Sequence, residues 1–175
     1  MKTGMVRADR PVLGVAILWV CLIVGFGVFT PGQALSSARV SQLYLRTLEL
    51  STELANLSLS ITKDREKEGE VPLHYVLPLK EVVEKAYTLS NNIHGEMKKV
   101  EEDLRSFPGS ALRERELQEL QELAVLYRAV ALIMQSADAY IQAARGEADA
   151  PLWVEVARLY YYLSSTTLDI LNFSR

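Results

Sequence analysis

An uncharged run of nineteen residues, from Pro11 to Phe29, constrains this chain more than any other feature of its sequence. As a helix it would extend about 28 Å, close to the thickness of the hydrocarbon core of a bilayer. Lys2, Arg7 and Arg10 precede it, and positive charges of this kind stay on the cytoplasmic side of a membrane. The run therefore predicts an export signal or an N-terminal anchor. In both cases the later residues are extracytoplasmic, in a periplasm, a lumen or at the cell surface.

Residues 1–34 combine features of a signal peptide and of a membrane anchor. The apolar run is longer than the roughly 7–15 residues of a usual signal, which favours an anchor. Thr30-Pro31-Gly32 breaks a helix, and the small residues of Gly32-Gln33-Ala34 suit a signal peptidase. Ser36-Ser37-Ala38 is a second candidate cleavage site. Both alternatives stay open, with the balance slightly on the side of cleavage.

The remainder of the chain, 35–175, is mildly acidic. Taking Lys2, Arg7, Arg10 and Asp9 from the totals of 19 basic and 22 acidic residues leaves 16 and 21, a net charge of −5. Nucleic-acid binding relies on clustered Lys and Arg, so this composition argues against a nucleic-acid partner. The single cysteine, Cys21, lies in the apolar run, and the domain therefore has no internal disulfide.

Apolar residues after position 35 recur every three or four positions, which is the spacing of amphipathic helices. The pattern predicts four helices at about 36–63, 78–107, 111–145 and 150–173. Gly69 and Pro72, Pro108-Gly109, and Gly146 separate them, and Pro78 fits the first turn of the second helix. The predicted fold is all-α: an up-down-up-down four-helix bundle over 35–175, preceded by an N-terminal hydrophobic signal or anchor helix.

Each predicted helix has an inward-facing stripe, and the third helix has the widest apolar face, so we expect it to be the most buried. In the first two helices the stripes are Val40, Leu43, Thr47, Leu50, Leu54, Leu57 and Ile61, then Leu79, Val82, Ala86, Leu89, Ile93, Met97, Val100 and Leu104. In the last two they are Leu112, Leu120, Leu123, Tyr127, Val130, Met134, Ala137, Ile141 and Ala144, then Leu152, Val156, Leu159, Leu163, Thr166, Ile170 and Phe173.

The sequence contains no motif for catalysis or for a metal site. A di-iron bundle needs Glu-x-x-His pairs, but Asn91 and Val71 stand three residues before His94 and His74. Haem-attachment, zinc-protease, P-loop and Rossmann patterns are also missing from the sequence. His94 and Met97 share a helix face, but one helix does not normally bring both to opposite sides of a haem. We therefore expect no enzyme and no cofactor.

The acidic residues near the second interhelical link are expected to form a solvated, mixed-charge face. They are Glu101, Glu102, Asp103, Glu114, Glu116, Glu119 and Glu122, interspersed with Lys98, Lys99, Arg105, Arg113 and Arg115. Such interspersed charges are typical of a helix surface in water.

Aromatic residues in the fourth helix are candidates for partner docking. Tyr160, Tyr161 and Tyr162 are spaced about 100° apart on a helix, so they cannot all face one core. Together with Trp153 they form an aromatic group of the kind favoured at interaction surfaces. Gly95 is a further candidate, since a glycine inside a helix costs about 1 kcal/mol relative to alanine. It would permit close helix packing or the approach of a partner.

The block Ile93-His94-Gly95, followed by a charged run to Leu104, resembles part of the PsbQ family of extrinsic photosystem II subunits. Ala137–Ala139 and the tyrosines of the fourth helix are also similar in position, whereas Glu96 and Met97 replace the family's Pro-Leu. The resemblance implies an exported four-helix bundle without catalytic residues, bound to the lumenal face of photosystem II. It also implies that His94 and its neighbours mark the family's signature surface.

These observations predict a non-enzymatic, exported four-helix bundle that docks on a membrane protein complex as a structural or stabilising subunit. Its expected docking residues are Ile93, His94, Gly95, Trp153, Tyr160, Tyr161 and Tyr162, and residues 11–29 would hold it in the membrane if they are retained. The alternative is an extracytoplasmic sensor or ligand-binding bundle that acts through a membrane partner.

Overall fold

A computed structural model of the protein describes residues 35–106, 113–146 and 149–173. It contains four long helices and one short connector: α1 (Ala38–Glu68), a 3-10 turn (Leu73–Tyr75), α2 (Val76–Ser106), α3 (Arg113–Ala144) and α4 (Ala150–Phe173). Over these ranges no strand is present, which confirms the all-α prediction. The predicted signal or anchor helix lies outside the described residues. In the part that is described, no helix has the length and apolar character needed to span a membrane.

Local sequence signals account for the ends of α1. Ser37 is its N-cap, and its hydroxyl accepts a hydrogen bond from the Val40 N–H at 3.2 Å. The helix ends at Gly69, which has a φ of +81° and donates from its N–H to the Arg65 carbonyl at 2.8 Å. The prediction that this helix ends near residue 63 is therefore wrong. Lys, Arg and Glu are good helix formers, so the charged segment stays helical until the glycine stops it.

Contacts between α1 and α2 show that these helices run in opposite directions. Arg39, near the start of α1, pairs with Glu96, near the end of α2, at 2.8 Å. Farther along, Glu53 of α1 lies 2.6 Å from Lys85 of α2. α2 begins two residues earlier than expected, with Pro78 in its first turn as predicted.

α3 occupies the centre of the bundle. It packs closely on α2 and α4, its neighbours in sequence, and it also contacts α1 directly. Ser37 reaches Glu119 near the start of α3, and Ser58 reaches Tyr140 near its end, so α1 and α3 are parallel. With α2 and α4 antiparallel to α3, the helices alternate up, down, up and down.

α3 is the most buried helix, as predicted, but the centre of its inner face differs from the prediction. Leu126, Ile133 and Tyr140 are fully buried at seven-residue intervals, whereas Tyr127 is 41% exposed. Since α3 touches all three other helices, more than half of its circumference is covered. A single three-four stripe cannot describe such a face.

The predicted face of α4 is largely wrong. The helix buries Val154, Ala157, Ser164, Thr167, Leu168 and Leu171. Leu152 and Leu159 of the predicted stripe are instead 61% and 56% exposed. α4 approaches α3 through small residues, and a serine hydroxyl on each of the two helices bonds to a backbone carbonyl of the other. A pattern based on hydrophobicity ranks leucine above serine and alanine, and it therefore selects the opposite flank.

Candidate docking surface

One flank of α4 carries a row of apolar side chains, in which the polar Thr166 occupies the gap between Leu163 and Ile170. We call Leu152, Val156, Leu159, Leu163 and Ile170 the α4 stripe; their spacing of four, three, four and seven residues puts them on one helix face. Leu152 and Leu159 are exposed, and the other three are half-buried. The row extends about 27 Å along the helix. Contiguous apolar surface of this kind marks interaction sites.

Charged residues of α4 are few and lie beside the stripe. Within Ala150–Phe173 the charged residues are Glu155, Arg158 and Asp169. Arg158 pairs with Glu155 at 3.0 Å and also donates to the hydroxyl of Thr62 on α1 at 3.1 Å. Its guanidinium therefore lies on the side of α4 that faces α1. Glu155, three residues after Leu152 and four before Leu159, is exposed and borders the stripe on one side.

The four aromatic docking candidates of α4 have different environments. Trp153 and Tyr161 are half-buried and pack against the core. Tyr160 is also half-buried, while Tyr162 is 67% exposed. The expectation that at least one of the three tyrosines is exposed is confirmed. Tyr162 is the residue of this group with most of its surface available to a partner.

The block Ile93-His94-Gly95 does not form one surface. The side chain of Ile93 is completely buried, so this residue packs in the core and presents nothing to a partner. His94 is exposed on α2, and its ring centroid lies 6.3 Å from that of Tyr127 on α3. A Cβ added to Gly95 would meet no atom within 4 Å. Gly95 therefore does not serve close packing between the helices of this chain.

Gly95 instead borders an open groove between α1 and α2. One part of the groove has a volume of about 650 Å³, and an adjoining part that shares Arg46 and Asn92 has about 460 Å³. The larger part is lined by Arg46, Glu49, Leu50, Glu53, Glu81, Glu84, Lys85, Thr88, Leu89 and Asn92. The smaller part is lined by Arg39, Gln42, Leu43, Arg46, Asn91, Asn92, Gly95, Glu96 and Lys99. Carboxylates predominate in the first part and basic groups in the second.

Ion pairs cross this groove at both parts. Glu96 lies between Lys99, at 2.7 Å, and Arg39, at 2.8 Å. The hydrogen bond from Lys99, together with the charge of Arg39, lowers the pKa of Glu96 although partial burial opposes this. In the larger part, the hydrogen bond to Glu53 raises the pKa of Lys85. Sequence reasoning missed the groove because it depends on the separation of two helices rather than on any local motif.

A buried carboxylate on α3 is an exception to the predicted solvated acidic face, whose members Glu101, Glu102, Asp103 and Glu114 are exposed. Glu122 is only 1% exposed. Its Oε2 accepts from the N–H of Ser36 at 3.0 Å and from the Ser36 hydroxyl at 2.7 Å. Its Oε1 accepts from the Gln118 amide at 3.0 Å, and the neighbouring Glu119 accepts from the Ser37 hydroxyl at 2.9 Å. These carboxylates hold the residues that lead into α1.

Across the described ranges, no group of three or more His, Cys, Asp and Glu side chains is arranged to hold a metal ion. Comparisons of the chain with family models, with curated proteins and with solved structures give no match. The resemblance to the PsbQ family stays a prediction from the sequence.

Proposed function

We propose that this chain is a non-enzymatic, exported four-helix bundle that docks as a structural or stabilising subunit on a membrane protein complex. The observation that carries the proposal is the α4 stripe, an apolar row along one helix in which Leu152 and Leu159 are exposed and the other members are half-buried. Full burial of one large apolar side chain is worth roughly 1.5–3 kcal/mol. Covering Leu152, Leu159 and Tyr162 would therefore supply a substantial part of a binding free energy.

The N-terminal apolar run supports a membrane complex as the partner. Whether it acts as a signal or as an anchor, it delivers the bundle to the extracytoplasmic face of a membrane. A protein surface exposed on that face is then the nearest large partner for the α4 stripe. A PsbQ-like position on the lumenal face of photosystem II is the specific form of this proposal that the Ile93-His94-Gly95 block favours.

The proposal is tested by crosslinking and co-purification from native membranes of the source organism. The double variant Leu152→Ser/Leu159→Ser should lose the co-purifying complex, because both side chains are exposed and their loss removes apolar contact without opening the core. The matched control is Leu45→Ser/Leu59→Ser on α1, whose leucines are 55% and 70% exposed. The control should retain the complex. Equal recovery with both variants, or a wild-type protein recovered alone, would contradict the proposal.

A second candidate function, ligand binding as part of a sensor, is favoured by the groove between α1 and α2. Its larger part has a volume within the usual range for small-molecule sites, and Leu50 and Leu89 contribute apolar surface beneath charged rims. This function predicts a reproducible thermal shift with a small ligand. Gly95→Leu, which extends a side chain into open space at the smaller part, should alter a shift caused by binding there.

A further inference from the structure

Among the described basic residues that line the groove between α1 and α2, Arg46 alone has no ion pair. The other basic residues of the groove pair with glutamates: Arg39, Lys85 and Lys99. Arg46 borders both parts of the groove, as does Asn92. A guanidinium binds a carboxylate through two parallel hydrogen bonds, and an amide can donate another. The junction of the two parts can therefore hold the carboxylate of a ligand.

The larger part of the groove has an excess of carboxylates. Lys85 is neutralised there by Glu53, whose Oε1 lies 2.6 Å from the Lys85 Nζ. Three more carboxylates line this part, and within the described ranges none of them forms an ion pair: Glu49, Glu81 and Glu84. Glu81 and Glu84 are exposed and lie at the end of the α2 lining that is farthest from Asn92. This end of the groove therefore favours a positively charged group of a ligand.

Two buried leucines, Leu50 of α1 and Leu89 of α2, lie between these two regions, and we call them the groove floor. Leu50 comes four residues after Arg46 and three before Glu53. The helix rises about 10 Å from Arg46 to Glu53. An extended peptide of three residues has the same reach, because each residue spans at most about 3.6 Å. Within the length of a tripeptide, the groove thus presents a site for an anion, an apolar floor and a site for a cation.

We propose that the groove binds short extended peptides whose two termini are free. Arg46 binds the terminal carboxylate, and Glu81 and Glu84 bind the α-ammonium at the other end. An apolar side chain of the middle residue lies on the groove floor. This inference rests on the second candidate function, ligand binding in the groove, and it gives that function a class of ligand.

A ligand with charges of both signs fits this groove better than a ligand with charges of one sign. A polyamine would leave Arg46 without a partner. A dicarboxylate long enough to reach both ends would bring a negative charge to Glu81 and Glu84, and like charges brought together oppose binding. The free termini of a peptide supply one charge of each sign at the required separation.

The ligand class is tested by titrating the full chain, purified in a mild detergent, with the tripeptide Ala-Leu-Ala in four forms. These are the free peptide, the N-acetylated peptide, the C-amidated peptide and the peptide with both blocks. Isothermal calorimetry should show that the free peptide binds and that each single block weakens binding by about tenfold, because it removes one charged hydrogen-bonding group. Equal dissociation constants for all four forms, or no binding of the free peptide, would overturn the inference.

Substitutions of exposed residues in the groove then test the placement of each terminus. Arg46→Gln should weaken binding of the free peptide by about tenfold and leave binding of the C-amidated peptide unchanged. The double variant Glu81→Gln/Glu84→Gln should weaken binding of the free peptide and leave that of the N-acetylated peptide unchanged. Arg105→Gln is the matched control, because Arg105 is exposed on α2 and does not line the groove. Equal losses with free and blocked peptides would overturn the proposed placement.

The ligand class and ligand binding itself can fail separately. Another ligand could give a thermal shift that Gly95→Leu alters, while Ala-Leu-Ala gives none. That result would refute the peptide class alone and leave ligand binding in the groove. The absence of a shift with any ligand would refute both.

Discussion

Ser136 and Ser164 donate hydrogen bonds across the interface between α3 and α4 in opposite directions. The Ser136 hydroxyl bonds to the Ala157 carbonyl of α4 at 2.7 Å, and the Ser164 hydroxyl bonds to the Ala129 carbonyl of α3 at 3.1 Å. Both serines are completely buried. Their small size lets the two helices approach closely, and the paired bonds fix how far one helix is displaced along the other.

We predict that Ser136→Ala and Ser164→Ala each lower the free energy of unfolding by about 0.5–1.5 kcal/mol, the net worth of a buried hydrogen bond. Urea denaturation of the single variants measures this. Thr166→Ala is the matched control, because Thr166 is exposed on α4 and bonds to Tyr162 in its own helix. If Ser136→Ala and Ser164→Ala are no less stable than the control, the interface bonds do not stabilise the bundle.

Gly95→Ala should raise the free energy of unfolding by about 0.5–1 kcal/mol, since a helix-interior glycine is replaced where the added methyl group meets no atom. Gly69→Ala should lower the free energy of unfolding by about 1–2 kcal/mol. Gly69 has a φ of +81°, in the left-handed region that a residue with a Cβ adopts at a cost. Thermal or chemical unfolding of the two variants measures whether each substitution raises or lowers the free energy of unfolding. A destabilised Gly95→Ala variant would show that something in the intact protein covers this position.

Glu96→Gln should destabilise the bundle at neutral pH by up to about 1 kcal/mol, because it removes the pairs with Arg39 and Lys99 at a partly exposed site. The folded state lowers the pKa of Glu96. The contribution of ionised Glu96 to the free energy of unfolding is therefore complete above the ordinary pKa of 4.5. It is lost as the pH falls through the lower pKa of the folded state. Unfolding curves recorded from pH 7 to pH 2 should show wild type and variant converging. Exposed Glu101→Gln is the control, and a constant difference between wild type and Glu96→Gln would refute the linkage.

Tyr75→Phe should lower the free energy of unfolding by about 1 kcal/mol. The Tyr75 hydroxyl donates a hydrogen bond to Asp64 at 2.6 Å, which links the connector to the end of α1. This hydrogen bond is the main reason that the pKa of Tyr75 is raised above its ordinary value of 10.0. The stabilisation is complete below the ordinary pKa and is lost as the pH rises through the folded-state value. Tyr87→Phe, at a residue 62% exposed, is the matched control. The prediction fails if both variants unfold alike at pH 7.

The helices could be predicted from sequence because their signals are local. Gly69 stops α1, Pro78 lies in the first turn of α2, and Gly146, with a φ of +70°, follows α3. Three-four spacing also selected the buried faces of α1 and α2 correctly. In these helices most of the apolar residues at three-four spacing pack in the core, whereas those outside that spacing, such as Leu45, Leu59 and Tyr87, are exposed, so pattern and packing agree.

The face of α4 and the role of Glu122 could not be obtained in the same way. In α4, Ser164 and Ala157 are buried because they allow close approach to α3, while Leu159 remains outside. Glu122 looks like any surface acid in the sequence, yet Ser36 on another segment supplies two of its hydrogen bonds. Both outcomes depend on which helices become neighbours, and the periodicity of one helix does not contain that information.

The parallel arrangement of α1 and α3 has a consequence for how the chain acquires its structure during synthesis. Ser36 and Glu122 are separated by 86 positions, whereas the pairs α2–α3 and α3–α4 are consecutive in the chain. Contacts between distant positions require a larger loop to close and form later than local ones. Because synthesis proceeds from the N-terminus, α1 emerges first but must wait for α3 before its inner face is covered. The first helix of the nascent chain is thus without one of its packing partners until about 75 residues counted from Ala38, to the start of α3 at Arg113, have been synthesised.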